Sequence, residues 1–106
     1  MLEELKRRRS VRRFTDEEVA EDQVRQLMEA AMAAPSGSNL QPWHFIVVSD
    51  PALKKELANL HVYARVAERA PVVVVVAADA ARSPSHWVED ASAATQNILL
   101  QASAMG

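Results

Sequence analysis

The run Pro71-Val-Val-Val-Val-Val-Ala-Ala-Asp79 restricts the fold more than any other stretch of the chain. Five consecutive β-branched residues without polar alternation describe a strand buried on both faces, the pattern of a parallel sheet covered by helices. Such a strand needs cover on two faces and a partner at each edge, and the remaining sequence supplies helices around short strands. In "AEDQVRQLMEAAMAA", Val24, Leu27, Met28, Ala31 and Ala34 recur at helical spacing. Acids Glu21 and Asp22 stand at its start, where the helix dipole favours them, and Pro35 stops it. "HFIVVS" (44–49) is apolar and β-branched, a second strand. "DPALKKELANL" opens another helix, with Asp50 as N-cap and Pro51 at the first helical position. Leu53, Leu57 and Leu60 form its expected buried stripe, and the helical pattern runs on to Ala70 with room for a kink.

The last pattern is "HWVEDASAATQNILLQASAM", in which Val88, Ala91, Thr95, Ile98, Leu99, Ala102 and Met105 share helical spacing. Its small residues, Ala91 to Ala94, admit close approach of a neighbouring helix, and Gly106 stands where a helix-ending glycine would. The order is helix, helix, strand, helix, strand, helix: an α/β arrangement with helices on both faces of a mixed sheet. Two strands are too few to close it, because a two-stranded sheet leaves open edges and an incompletely covered valine strand. A partner subunit or further C-terminal residues are expected to complete the fold.

At 106 residues and 11.7 kDa the chain is read as a single domain, residues 1–106. Its apolar share of 49% and charged share of 25% are those of a globular protein. No apolar run reaches the roughly 18 residues that a membrane span requires. "MLEELKRRR" lacks the order of a signal peptide. With no cysteine, disulfides, thiolate metal sites and cysteine nucleophiles are excluded, and a cytoplasmic protein is the expectation. The net charge of −2 conceals an asymmetry: "KRRRSVRR" (6–13) holds six of the twelve basic residues and no acid. An acidic body carrying one basic segment points to a local anionic target rather than a general nucleic-acid surface.

A second unusual segment is "APSGSNLQPWHF" (34–45), which gathers one of the two glycines and two of the five prolines between a helix and a strand. Turn chemistry explains prolines and glycine in such a place, and Trp43 and Phe45 read as core residues. His44, His61 and His86 show no metal-ligand spacing, so no metal site is expected. Ser36, His44 and Asp50 could in principle compose a hydrolytic triad, but no nucleophile elbow surrounds the serine. Both Gly-rich phosphate loops, G-x-G-x-x-G and G-x-x-x-x-G-K, are absent. A bound phosphate must therefore be held by side chains, a task for which the arginine fork is suited.

Taken in order, "RRSVRRFTDEEV", "APSGSNLQPWHFIVVSDPALKKEL", "APVVVVVAAD" and "WVEDASAATQNILLQA" resemble the nitroreductase family of FMN-dependent oxidoreductases. The likeness covers essentially the whole chain, and the R-x-S-x-R and P-S-x-x-N-x-Q-P-W segments are specific in combination. The resemblance implies an α+β flavoprotein, a homodimer with FMN at the subunit interface. It implies that Arg8 and Arg9 meet the flavin phosphate and ribityl chain, with Ser10 between them and Arg12 near N1 and O2 of the ring. A fixed cation there favours reduction, because reduced flavin carries negative charge around N1. Pro35, Ser36, Gly37 and Asn39 match a loop that reaches the flavin of the other subunit, closed by Gln41, Pro42 and Trp43. Gly37 would let backbone approach the ring.

The implied activity is transfer of electrons from NAD(P)H through FMN to a nitroaromatic, quinone or similar acceptor by a ping-pong mechanism. The resemblance names no catalytic acid or base. Family members usually continue beyond the glycine that follows the last helix, so the flavin site here is expected to be half a site. Two other readings fit the residues: a non-catalytic flavin-binding or heteromer-partner module, and a nucleic-acid binder using residues 6–13. The acidic body and the lack of interleaved aromatic residues weigh against the second.

Overall fold

A helix start needs acceptors for its free N–H groups, and the strongest such signal in the sequence is honoured. A computed structural model describes all 106 residues. In it Asp50 caps helix α3 (Pro51–Ala58), its Oδ2 accepting from the Leu53 N–H at 3.0 Å. The other helices are α1 (Glu3–Arg7), α2 (Glu21–Met32) and α4 (Trp87–Met105). Strands β1 (Trp43–Val48) and β2 (Val73–Ala78) lie where the two β-branched runs place them. The expected order of six elements is observed, and no helix is long and apolar enough to cross a membrane.

Residues Met1–Arg9, Ala20–Phe45 and Val76–Gly106 form one compact unit. Its core is the seam between α2 and α4, where Ala31 and Ala94 are both 0% exposed, with Trp43 and Ala34 buried beside them. The side-chain amide of Asn97 on α4 donates to the carbonyl of Ala30 on α2 at 2.9 Å, one bond across the seam. The expected face of α2 is observed, with Leu27, Ala31 and Ala34 buried and Val24 and Met28 half-buried. Gln23 accepts from the Ala20 N–H at 2.8 Å, one half of a capping box. Helix α2 ends three residues before Pro35, as a proline directs.

The second unit comprises Ser10–Val19 and Ile46–Val75. Here α3 packs against a 3-10 segment, Val62–Arg69, and the Lys54 ammonium donates to the Ala70 carbonyl at 2.7 Å. The helical pattern breaks at Asn59–His61 and resumes with tighter winding, the kink for which the sequence left room. The expected leucine stripe is not buried: Leu53 and Leu60 are exposed, Leu57 is half-buried, and Ala58 is the buried residue of α3. Spacing marks an apolar face, but burial needs a covering surface, and this unit does not supply one.

Strands β1 and β2 form a two-stranded sheet and run antiparallel, the Asp79 N–H donating to the Pro42 carbonyl at 2.8 Å where the pair begins. The valine run pointed to a parallel neighbour. Every residue from Pro71 to Ala78 is half-buried rather than enclosed, because each strand of a two-stranded ribbon has only one paired edge. The α2–α4 seam admits a sharp test. Ala94→Leu inserts three carbons where no space exists, and it should destabilise the protein by about 1–3 kcal/mol in urea unfolding.

Candidate functional site

Two segments hold the candidate residues, and their local structures differ. The basic segment begins at the end of α1. Arg8 follows that helix and is half-buried, its N–H donating to the Glu4 carbonyl at 2.9 Å. Arg9 folds back over the helix end, its Nη1 donating to the carbonyls of Lys6 at 2.6 Å and Arg8 at 3.0 Å. These are carbonyls that a helix C-terminus leaves without partners, and a cation is favoured there. Arg12 donates from Nη1 to the Ser10 carbonyl at 3.3 Å, and Ser10 and Arg12 are both exposed. The boundary between the two units falls between Arg9 and Ser10.

No carboxylate pairs with Arg8, Arg9, Arg12 or Arg13; the ion pairs of the chain are Lys6–Glu3 and Arg25–Asp22. The guanidinium groups of Arg9 and Arg12 are thus met only by backbone oxygens, and those of Arg8 and Arg13 make no hydrogen bond or ion pair. A shallow depression at the start of α2, lined by Glu21, Asp22, Val24 and Arg25, contains none of the candidate residues.

The second segment is a pinned loop. Gly37–Asn39 form one 3-10 turn, with Ser38 at φ 52°, Asn39 at φ 54° and Gln41 at φ 49°. Left-handed backbone costs a non-glycine residue on the order of 1 kcal/mol or more, so three such residues in four positions require compensation. Part of it is local. Asn39 N–H donates to the Ser36 carbonyl at 3.0 Å and Leu40 N–H to that of Gly37 at 3.1 Å. The Ser36 hydroxyl accepts from Gln41 N–H at 3.0 Å.

The rest comes from the chain after β2. Asp90 on α4 accepts from the Gly37 N–H at 3.0 Å, Arg82 Nε donates to the Leu40 carbonyl at 2.6 Å, and Asp79 holds Pro42. Each bond contributes about 0.5–1.5 kcal/mol net, more where a charged partner is involved, so together they outweigh the backbone strain.

Asp90 is only 4% exposed, and its second oxygen accepts from the buried Ser83 hydroxyl at 3.2 Å. Ser83 belongs to a turn organised by Asp79, whose Oδ1 accepts from Ala81 and Arg82 N–H groups at 2.9 and 3.2 Å. None of Asp79, Arg82, Ser83, His86 and Asp90 was singled out by motif. "DAARSPS" carries a turn signal, and an acid in the first turn of α4 is explained by the dipole alone.

Of the residues chosen from sequence, Pro35, Ser36, Gly37, Asn39 and Gln41 are brought together in one turn, with Pro35, Asn39 and Gln41 exposed. No hydrogen bond joins Arg8 or Arg9 to that turn. Gly37 has a structural demand that sequence could not show. A Cβ there would lie 2.4 Å from His86 Cδ2 and 2.8 Å from its Cγ, so glycine is required by the imidazole packed on it. Trp43 is a core residue, 8% exposed and stacked on Phe45 with ring centroids 6.3 Å apart.

The Nitroreductase family model matches residues 5–62. A Methanothermobacter thermautotrophicus protein named "Putative NADH dehydrogenase/NAD(P)H nitroreductase" is 40% identical over 108 residues, covering 100% of this chain and 56% of its own length. An FMN-dependent nitroreductase from Clostridium difficile superposes with a TM-score of 0.93 at 36% identity, over 100% of this chain and 62% of that one. A Desulfovibrio desulfuricans structure solved in complex with FMN superposes at 0.90 with 37% identity, over 97% and 62%. The chain belongs to the nitroreductase family. It spans a little over half to three fifths of the length of these relatives.

Gly37→Ala should lower the melting temperature by several degrees, on the order of 1–3 kcal/mol for one overpacked methyl. His86→Ala in the same chain removes the two closest contacts and should recover most of the loss. An equal loss in single and double variants, read in a thermal double-mutant cycle, would contradict the steric assignment.

Proposed function

We propose that these 106 residues form one flavin-binding domain of an FMN-dependent NAD(P)H oxidoreductase that works as a homodimer with shared sites. The observation that carries this reading is the arginine segment: among fourteen acids in the chain, none neutralises Arg8, Arg9, Arg12 or Arg13. Guanidinium groups left without a carboxylate are suited to a phosphate, which they can grip through two oxygens at once. The residues present therefore fit FMN. Relatives described as FMN-dependent or solved with FMN support the same reading.

In this proposal Arg8, Arg9 and Ser10 hold the phosphate and ribityl chain, and Arg12 offers a fixed cation to the ring. Pro35, Ser36, Gly37, Asn39 and Gln41 form one wall of the ring site. FMN, when bound, supplies hydride acceptance from NAD(P)H and electron delivery to a nitroaromatic, quinone or similar acceptor. The chain supplies orientation and charge, with no acid or base assigned. Donor and acceptor use the same face in turn, giving ping-pong kinetics. The visible spectrum of the purified protein and its oxidation of NADH and NADPH test the proposal. Bound flavin without oxidation of either nucleotide would instead mark a non-catalytic flavin module.

Arg8→Ala should weaken FMN binding about tenfold to a hundredfold, the loss of a charge-assisted contact of roughly 1.5–3 kcal/mol, while Arg13→Ala changes it little. Titration by flavin fluorescence quenching measures both, and equal small losses would reduce the segment to diffuse positive charge. A further expectation concerns the two subunits. Helix α2, twelve residues and so about 18 Å long, separates the arginines from the Asn39 loop, which is proposed to act on the partner's flavin. Mixing Arg8→Ala with Asn39→Trp subunits should then restore one intact site per mixed dimer and recover flavin binding. Verified mixed dimers without recovery would show that the loop acts within its own subunit.

A further inference from the structure

We propose that Asp90 is a positioning residue for the flavin site, acting through the Gly37 N–H to set the geometry of the Ser36–Pro42 loop. The inference rests on the flavin reading above and adds to it a residue that no cofactor motif contains. The loop holds Ser38, Asn39 and Gln41 in left-handed conformations, each at a cost in backbone energy. Three contacts reach it from the chain after β2: Asp79 to Pro42, Arg82 to Leu40 and Asp90 to Gly37.

The Asp79 contact is a backbone bond at the end of the strand pair, and the Arg82 contact comes from an exposed side chain, where water competes for the same group. Asp90 is different. It is 4% exposed, its carboxylate is oriented by the buried Ser83 hydroxyl, and it sits on a helix anchored to α2 at Ala94. The bond falls at the first residue of the turn, so its direction sets where the exposed side chains of Ser38, Asn39 and Gln41 point. His86 packs on Gly37, where its imidazole would meet any added Cβ. Asp90 would touch no cofactor itself; its effect passes through the loop.

The test is made in the full-length polypeptide with Asp90→Ala, Asp90→Asn and Asn97→Ala. Asn97→Ala removes the bond from α4 to Ala30, perturbing the same helix without touching the loop. Two properties are read: amide hydrogen exchange at residues 36–41 without flavin, and FMN affinity by titration. Asp90→Ala should speed exchange at Gly37 and weaken FMN binding about tenfold or more. Asp90→Asn should regain most of the affinity, because its amide oxygen still accepts from Gly37 and its NH₂ can donate to Ser83. Asn97→Ala should lower the melting temperature yet leave FMN affinity within about twofold of the parent.

Unchanged exchange in Asp90→Ala would overturn the proposal, as would loosened exchange with unaltered FMN affinity. So would losses of affinity that simply follow melting temperature in all three variants. If Asp90→Ala does not fold, Asp90→Asn and Ser83→Ala carry the same comparison, Ser83→Ala being expected to lie between the parent and full loss. A parent protein that takes up no FMN overturns the flavin reading and the cofactor role of Asp90 with it. The exchange pattern still reports whether the clamp exists, so the two failures are distinguishable.

Discussion

Helices α2 and α4 meet where Ala31 and Ala94 leave no accessible surface, and the placement of the candidate loop follows from that seam. Single methyl groups transfer little hydrophobic free energy, about 0.8 kcal/mol per buried carbon, so the seam is not strong through area alone. Its value is geometric. Small side chains let the helix backbones approach closely, and close packing permits few alternative rotations. Asp90 lies one turn before Ala94 on the same face of α4, so the rotation that buries the alanine also directs the carboxylate inward. On the other helix, Ala31 and Ala34 lead directly into Pro35. The seam thus sets both ends of the Asp90–Gly37 bond.

Much of this architecture can be read from the residues. Pro35, the Asp50–Pro51 pair and Pro71 mark boundaries through the geometry of the backbone, so the order of helices and strands is legible. The two unusual segments are legible for the same reason: a cluster of arginines without acids, and a turn too rich in restrictive residues for a plain connection. What sequence does not carry is which neighbour each residue meets. Gly37 reads as room for a ligand, and only the fold shows that the imidazole of His86, forty-nine positions later, also packs against it. Asp90 reads as an acid favouring a helix start, and only the fold shows both of its oxygens in use.

Spacing alone leaves the buried face of a helix undecided in α4 and α3. Helix α4 is rich in alanine and apolar around most of its circumference, so periodicity does not decide which side is inward. Of the residues at helical spacing, Val88, Thr95, Leu99 and Ala102 are exposed and Ala91, Ile98 and Met105 half-buried, while Asp90 and Ala94 are the buried ones. Packing chose the face with the smaller side chains because α2 presents Ala31 there. In α3 the leucines lost to Ala58 in the same way. The exposed apolar side chains of Ile46, Val47, Val88 and Leu99 each forgo on the order of 25 cal/mol per Å² while open to water. The proposed dimer gives such surface a use.

In the proposed flavin site, the two candidate segments would divide the work of ligand recognition by how their hydrogen-bonding groups are satisfied. In the loop, the N–H groups of Gly37, Asn39, Leu40 and Gln41 already have acceptors within the chain. Its backbone thus has little left to offer a ligand, and recognition falls to side chains carried on a pre-shaped frame, chiefly Ser38, Asn39 and Gln41. Such a frame changes little on binding and favours selectivity. The arginines are the reverse case. No carboxylate pairs with them, Arg9 and Arg12 meet only backbone oxygens, and all but Arg8 lie open to solvent. An anion reaching them gains charge-assisted bonds without displacing a carboxylate, so affinity is concentrated there. Placing affinity on one segment and shape on another, with α2 between them, lets each be set without disturbing the other.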